Sequence, residues 1–226
     1  MASDRLATGI PSVDRLLGGG LETDSLTEIY GEGGSGKTLF CLEVALRVAR
    51  EDRWIFYVDT EGVSVDRLRA VAGDSLDRIL KRFLLSTPKN LEEQARAVAT
   101  ACALARVGKR PVGLIVADSG THYYRLSLSG PDEDDARQAL AVGVADLVAT
   151  ALRAQVPAIL TNQVWRSVRD GTLEPLGGSF LNHAAKTILR FDRLSGNRRR
   201  VVLVKHRSLP EGTADFRITG TGLEGP

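Results

Sequence analysis

Gly31-Glu32-Gly33-Gly34-Ser35-Gly36-Lys37-Thr38 fits the spacing G-x-x-x-x-G-K-[ST]. Glycines at this density let the backbone curl until successive N–H groups point inward at the oxygens of a bound anion. A helix predicted to begin near Lys37 would add its positive dipole end. Lys37 has the reach and charge for the outer phosphates of a triphosphate, and the Thr38 hydroxyl can ligate Mg²⁺. Leu39 continues the helix beside the phosphates. The chemistry expected here is binding of ATP with Mg²⁺. An apolar run, Leu26–Tyr30, precedes the loop, and an amphipathic one follows it, which is the strand–loop–helix setting the motif requires.

Three further polar positions end apolar strands. Leu114-Ile115-Val116-Ala117 runs into Asp118, placing a carboxylate where it can hold Mg²⁺ through water; a turn or helix cap is the alternative reading. Tyr57-Val58-Asp59 leads to Thr60-Glu61-Gly62. Glu61, at the carboxyl edge of the sheet, can orient and deprotonate an attacking water, with Asp59 the weaker candidate and a surface glutamate the bland one. Thr161-Asn162-Gln163 ends another strand, and a glutamine there can contact the terminal phosphate and report hydrolysis to the segment that follows.

The elements that must position these residues alternate. Strands are predicted at Leu26–Tyr30, Trp54–Asp59, Arg82–Leu85, Val112–Ala117 and Pro157–Thr161. Helices are predicted at Lys37–Arg50, Leu91–Val107 and Ala136–Ala154. Continuous apolar strands between helices indicate an α/β fold, a mainly parallel sheet flanked by helices. The runs Lys186–Arg193, Arg199–Lys205 and Asp215–Thr219, joined by short turns, indicate a C-terminal antiparallel meander. Nothing linker-like divides the chain, so one domain over residues 1–226 is expected. Two irregular segments, Ser119–Asp135 and Val164–Ser179, follow strands where open α/β sheets place binding loops.

These sites in this order resemble the RecA/RadA recombinase superfamily, and most closely the archaeal RadB family of short RadA paralogues. Thr8-Gly9-Ile10-Pro11-Ser12-Val13-Asp14-Arg15-Leu16-Leu17-Gly18-Gly19-Gly20 is similar to the superfamily's opening motif. The stretch from Asp59 to Leu68 resembles the RadB form of the catalytic-glutamate segment. Pro175-Leu176-Gly177-Gly178 resembles the P-x-G-G that follows the second DNA loop, and His206-Arg207-Ser208-Leu209-Pro210-Glu211-Gly212 resembles the C-terminal end. The resemblance implies a RecA-like P-loop ATPase core. Residues 31–38 would bind ATP, Thr38 and Asp118 would hold Mg²⁺, Glu61 would activate water, and Gln163 would couple nucleotide state to the loop beyond it. Arg67 would lie near the adenine. The irregular segments would be the two loops that face DNA.

Two departures from RadA shape the expected role. The P-loop begins only 30 residues into the sequence, without room for RadA's N-terminal helix-hairpin-helix domain, and no Phe-x-x-Ala tether occurs. The resemblance therefore implies an accessory with weak ATPase activity that does not drive strand exchange alone. Its implied partners are single-stranded or branched DNA, a RadA-type recombinase and a Holliday-junction resolvase. Asp24 also stands where the superfamily often has glycine.

Candidate DNA contacts are Tyr123, Tyr124 and Arg125, with His122, in the first loop, and Trp165, Arg166 and Arg169 in the second. Each pairs aromatic surface with positive charge, as stacking platforms for single strands do. Arg198-Arg199-Arg200 and Lys205-His206-Arg207 add C-terminal basicity. A solvated face or a packed aromatic is the alternative for each. Asp132-Glu133-Asp134-Asp135 would repel phosphate and instead suits a helix start. Over 226 residues the formal net charge is only +2, so any basic surface must be local. Cys41 and Cys102 belong to no metal-ligand pattern and read as buried thiols. No apolar run approaches the roughly 20 residues of a membrane span, and a cytoplasmic, nucleoid-associated protein is expected. Two other readings stay open: a KaiC-like regulatory ATPase, and a nucleotide-gated adaptor with negligible turnover.

Overall fold

A computed structural model of the chain describes residues 4–166 and 172–225. Two short strands, β1 (Arg5–Leu6) and β2 (Leu21–Glu22), flank helix α1 (Pro11–Leu16). The opening motif works here as a clamp. Asp14 accepts from Thr8 N, Thr8 Oγ1 and Gly9 N at 2.7–3.2 Å. Pro11 sits in the first helical turn, where its missing N–H costs nothing. Gly20 has φ +132°, and a Cβ there would lie 2.1 Å from Leu6 O, so only glycine lets β1 and β2 close.

The main sheet begins with β3 (Leu26–Gly31), followed by α2 (Lys37–Arg50), β4 (Trp54–Asp59), α3 (Val65–Ala72), a 3-10 turn (Gly73–Ser75) and α4 (Leu76–Leu80). Next come β5 (Phe83–Ser86), α5 (Leu91–Val107), β6 (Val112–Asp118), α6 (His122–Ser127), α7 (Glu133–Ala154) and β7 (Ala158–Asn162). A hairpin of β8 (Val164–Arg166) and β9 (Leu173–Pro175) leads to α8 (Gly178–Ala184). The meander β10 (Thr187–Arg193), β11 (Arg198–His206), β12 (Gly212–Ile218) and β13 (Leu223–Glu224) ends the fold. The nine-stranded sheet runs β13-β12-β11-β10-β3-β7-β6-β4-β5. Its strands are parallel from β10 to β5 and antiparallel from β10 to β13.

The expected bounds of α2 and α5 coincide with those observed, because both ends of each are signalled locally. In α5, Asn90 Oδ1 accepts from Glu93 N at 2.9 Å, and Gly108 stops the helix in the left-handed conformation. Helix α7 starts earlier than the apolar spacing suggested, at the acidic run, where Glu133 also accepts from Ser129 N. The central parallel strands β3, β4, β6 and β7 are buried on both faces, while the edge strand β5 is exposed beyond Phe83. One core layer lies under α1–α4, with Phe40, Leu46, Ile55 and Phe191. The other lies under α5–α8, with Val98, Cys102, Val144 and Leu160. Cys41 and Cys102 are buried and free.

Both irregular segments contain regular structure. The first holds α6, which packs on α7, and the second holds the β8–β9 hairpin and the start of α8. Each element is too short for a periodic signal and forms against a neighbour.

Candidate nucleotide site

The four candidate segments meet at the carboxyl ends of β3, β4, β6 and β7. Gly31 closes β3 with φ +153°, in a position where a Cβ would strike Phe191 O of β10 at 2.2 Å. Gly36 caps α2 with φ +98° and brings no side-chain cap. The first amides of the helix therefore face the loop. Lys37 Nζ donates to Gly31 O at 2.8 Å and Glu32 O at 3.1 Å, across the mouth of its own loop. Burial lowers the Lys37 pKa, against the attraction of Glu61 and Asp118, which favours its charged form.

Asp118 is 3% exposed. It accepts from Tyr57 Oη at 2.7 Å and Thr161 Oγ1 at 2.5 Å, and the Thr38 hydroxyl lies near enough to favour its charged form. Burial raises its pKa despite these donors. Asp59, paired with Asp118 in register, is committed elsewhere: its carboxylate accepts from the amides of Glu61, Gly62 and Val63 at 2.6–3.2 Å. It shapes the turn that presents Glu61. Gln163 Nε2 donates to Glu61 Oε1, and His122 Nδ1 lies 3.9 Å from the same oxygen. Lys37, Thr38, Glu61, Asp118 and Gln163 thus converge, although they come from four separate stretches of sequence.

The residues fit a phosphate-rich nucleotide with a divalent metal. Ser35 Oγ, inside the loop, and Gln163 Oε1 are buried polar atoms without a partner in the protein. The loop offers amide donors, one ammonium and a hydroxyl–carboxylate pair of hard oxygens, Thr38 and Asp118, suited to Mg²⁺.

Other side chains buttress the loop from the meander. Arg199 Nε donates to Gly34 O at 3.1 Å, and Phe216 and Ile218 pack where a Cβ on Gly36 would project. Arg199 was read from sequence as part of a basic cluster, and nothing local distinguishes it from its neighbours. The rest of the C-terminal basic clusters is also engaged within the fold. Arg198 and Arg200 pair with Asp215 at 3.3 and 2.7 Å. Lys205 donates to Asn182 O and Ala185 O. The His206 side chain is buried, and Arg207 bridges Glu22 and Asp24. Asp24 therefore anchors the start of β3 to the end of β11.

The candidate DNA residues separate. Tyr124 is 8% exposed and lies in the core layer with Val98 and Leu140, so its ring offers no stacking surface. Tyr123 packs edge-on to His122 and donates to Pro88 O at 2.9 Å. Arg125 is exposed on α6. Trp165 is 45% exposed on the β8–β9 hairpin, opposite Glu174. Arg166 follows it on β8, and Arg169 lies outside the described residues. Arg67 donates to Gly220 O at 3.1 Å, tying α3 to the turn between β12 and β13.

The strand order with a P-loop at the end of β3, an acid ending β6 on the far side of β7 and an antiparallel extension defines a P-loop nucleotide-binding fold of the RecA type. The Rad51 family model matches residues 3–226. The DNA repair and recombination protein RadB of Methanoculleus marisnigri is 39% identical over 224 residues, covering 99% of each chain. The protein of the same name in Methanococcoides burtonii is 36% identical over 224 residues, covering 97% of each. A crystal structure of the RadB recombinase superposes with a TM-score of 0.81 at 34% identity, covering 98% of this chain and 99% of that one. The chain belongs to the Rad51 family and, within it, to the RadB proteins.

Proposed function

We propose that this chain is an ATP-dependent DNA-binding protein of homologous recombination and repair, a mediator with weak ATPase activity and no strand exchange of its own. The observation that carries this reading is the meeting of Glu61 and Gln163. The side chain expected to activate water is hydrogen-bonded to the residue immediately before the β8–β9 hairpin. A change at the terminal phosphate would then move the segment that presents Trp165.

In this reading residues 31–37 hold the triphosphate, with Leu39 behind them and Arg67 toward the adenine. Thr38 and Asp118 hold Mg²⁺, whose charge, when bound, offsets that of the phosphates. Lys37 favours the outer phosphates, and Glu61 takes a proton from the attacking water. DNA, single-stranded or branched, meets Tyr123, Arg125, Trp165, Arg166 and Arg169. A RadA-type recombinase is the protein partner, with a Holliday-junction resolvase as a second. One ATPase domain working at the nucleoid suffices for this role. Among the described residues no helix is long and apolar enough to cross a membrane.

The test is retention on immobilised single-stranded DNA with ATP and with ADP, with and without a RadA-type recombinase. Retention is expected to depend on ATP and to fall steeply with salt. Trp165→Ala should weaken it by roughly 1–3 kcal/mol, the worth of one base–aromatic stack. Absence of retention under every condition would sink this reading in favour of a regulatory ATPase without a DNA role.

A further inference from the structure

Asn162 ends β7, one residue before Gln163, and is fully buried. Its Nδ2 donates to Glu28 Oε1 at 2.7 Å and to Leu176 O at 2.8 Å. Its Oδ1 accepts from Thr121 Oγ1 at 2.8 Å. Both amide protons are therefore in use, and each bond reaches a different part of the chain. Thr121 stands just before α6, and Leu176 just after β9. Thr121 Oγ1 also accepts from Gln163 N at 3.1 Å, and Leu176 N donates to Gln163 O at 3.1 Å. The backbone of Gln163 is held on both sides by the two residues that Asn162 holds.

Glu28 is the fixed end of this network. It lies mid-strand in β3, between two strands, and is 1% exposed. A buried carboxyl in a central strand is costly, and an apolar side chain would fill the space without that cost. Its visible work is to receive Asn162. Lys205, bonded to the backbone at Asn182 and Ala185 at the end of α8, supplies the nearby positive charge.

We propose that Asn162, anchored by Glu28, is a positioning residue that makes Gln163, the segment at Thr121 and the end of the β8–β9 hairpin move as one unit. It touches no reacting atom in this role. It converts a side-chain contact at Glu61 into a displacement of backbone on both sides of the site. The inference rests on the proposed role of Gln163 and adds the route by which that role reaches the hairpin.

The test compares the affinity for a fluorescent single-stranded oligonucleotide in ATP and in ADP, taken as a ratio for each variant, with ATP affinity measured alongside. Asn162→Ala is expected to lower the ratio about tenfold, on the order of one buried hydrogen bond, while ATP affinity stays within about twofold. Glu28→Gln keeps an oxygen for Asn162 and should preserve the ratio; Glu28→Ala removes it and should not. A folded Asn162→Ala protein with the wild-type ratio, beside a Gln163→Ala protein that has lost it, overturns the inference and leaves the role of Gln163 standing. An unchanged ratio in Gln163→Ala removes both. If Asn162→Ala does not fold, the two Glu28 variants decide: equal ratios overturn the inference.

Discussion

Glu28 makes a quantitative prediction possible because its environment is so one-sided. Burial between β10 and β7 raises its pKa from 4.5 to about 7, against the opposing effects of the Asn162 hydrogen bond and the Lys205 charge. Below pH 4.5 the carboxyl is protonated in both the folded and the unfolded chain, and it adds nothing to the pH dependence. Between 4.5 and about 7 the folded chain keeps a proton that the unfolded chain has released, so stability falls as pH rises. Above about 7 the loss is complete. A rise of this size corresponds to about 3 kcal/mol, a large fraction of the total stability of an ordinary domain. Glu28→Gln removes the titration and keeps an acceptor for Asn162. Urea unfolding of both proteins at a series of pH values should show the wild type losing about 3 kcal/mol relative to the variant across this window. Parallel curves would refute the reasoning, since they would mean that the carboxyl is no more protonated in the folded state than in the unfolded one.

Two other substitutions probe the site and its support. Glu61→Gln should bind ATP as the wild type does and lose roughly 10²–10⁴-fold in turnover, the range for removing a general base; phosphate release at saturating ATP measures it, and unchanged turnover would free Glu61 of that role. Phe216→Ala opens a cavity beside Phe191 and beneath Gly36, and should cost about 3–5 kcal/mol in urea unfolding. A loss under about 1 kcal/mol would show that the meander closes over the gap.

The parts of the structure legible in the sequence are those whose determinants are local. The P-loop, the parallel strands and helices α2 and α5 carry their own periodicity, glycines and caps. The helices α1, α3 and α4 carry no such signal, even where α1 and the start of α3 lie inside recognised motifs, because each is short and leans on neighbours. The aromatic positions of the first loop misled for a related reason. Tyr124 and Tyr123 look alike in sequence, but the turn of α6 directs one into the core and the other toward Pro88. Basic clusters were no guide to free charge, because Asp215, Glu22 and Asp24, remote in sequence, pair with Arg198, Arg200 and Arg207. Asn162 lay inside a recognised triplet, yet its partners at positions 28, 121 and 176 are joined only by the sheet.

The bond from Arg199 to Gly34 spans 165 residues. It bears on the order in which the chain becomes competent as well as on its final shape. The glycine loop is made well before the side chains that brace it, Arg199 and Phe216. Contacts so distant in sequence close late in folding. A growing chain will carry a complete phosphate-binding motif long before it carries a phosphate-binding site. Nucleotide that binds the finished fold in turn stabilises the whole molecule, C-terminal strands included, by mass action. Nucleotide binding is in this sense a report that the meander has docked.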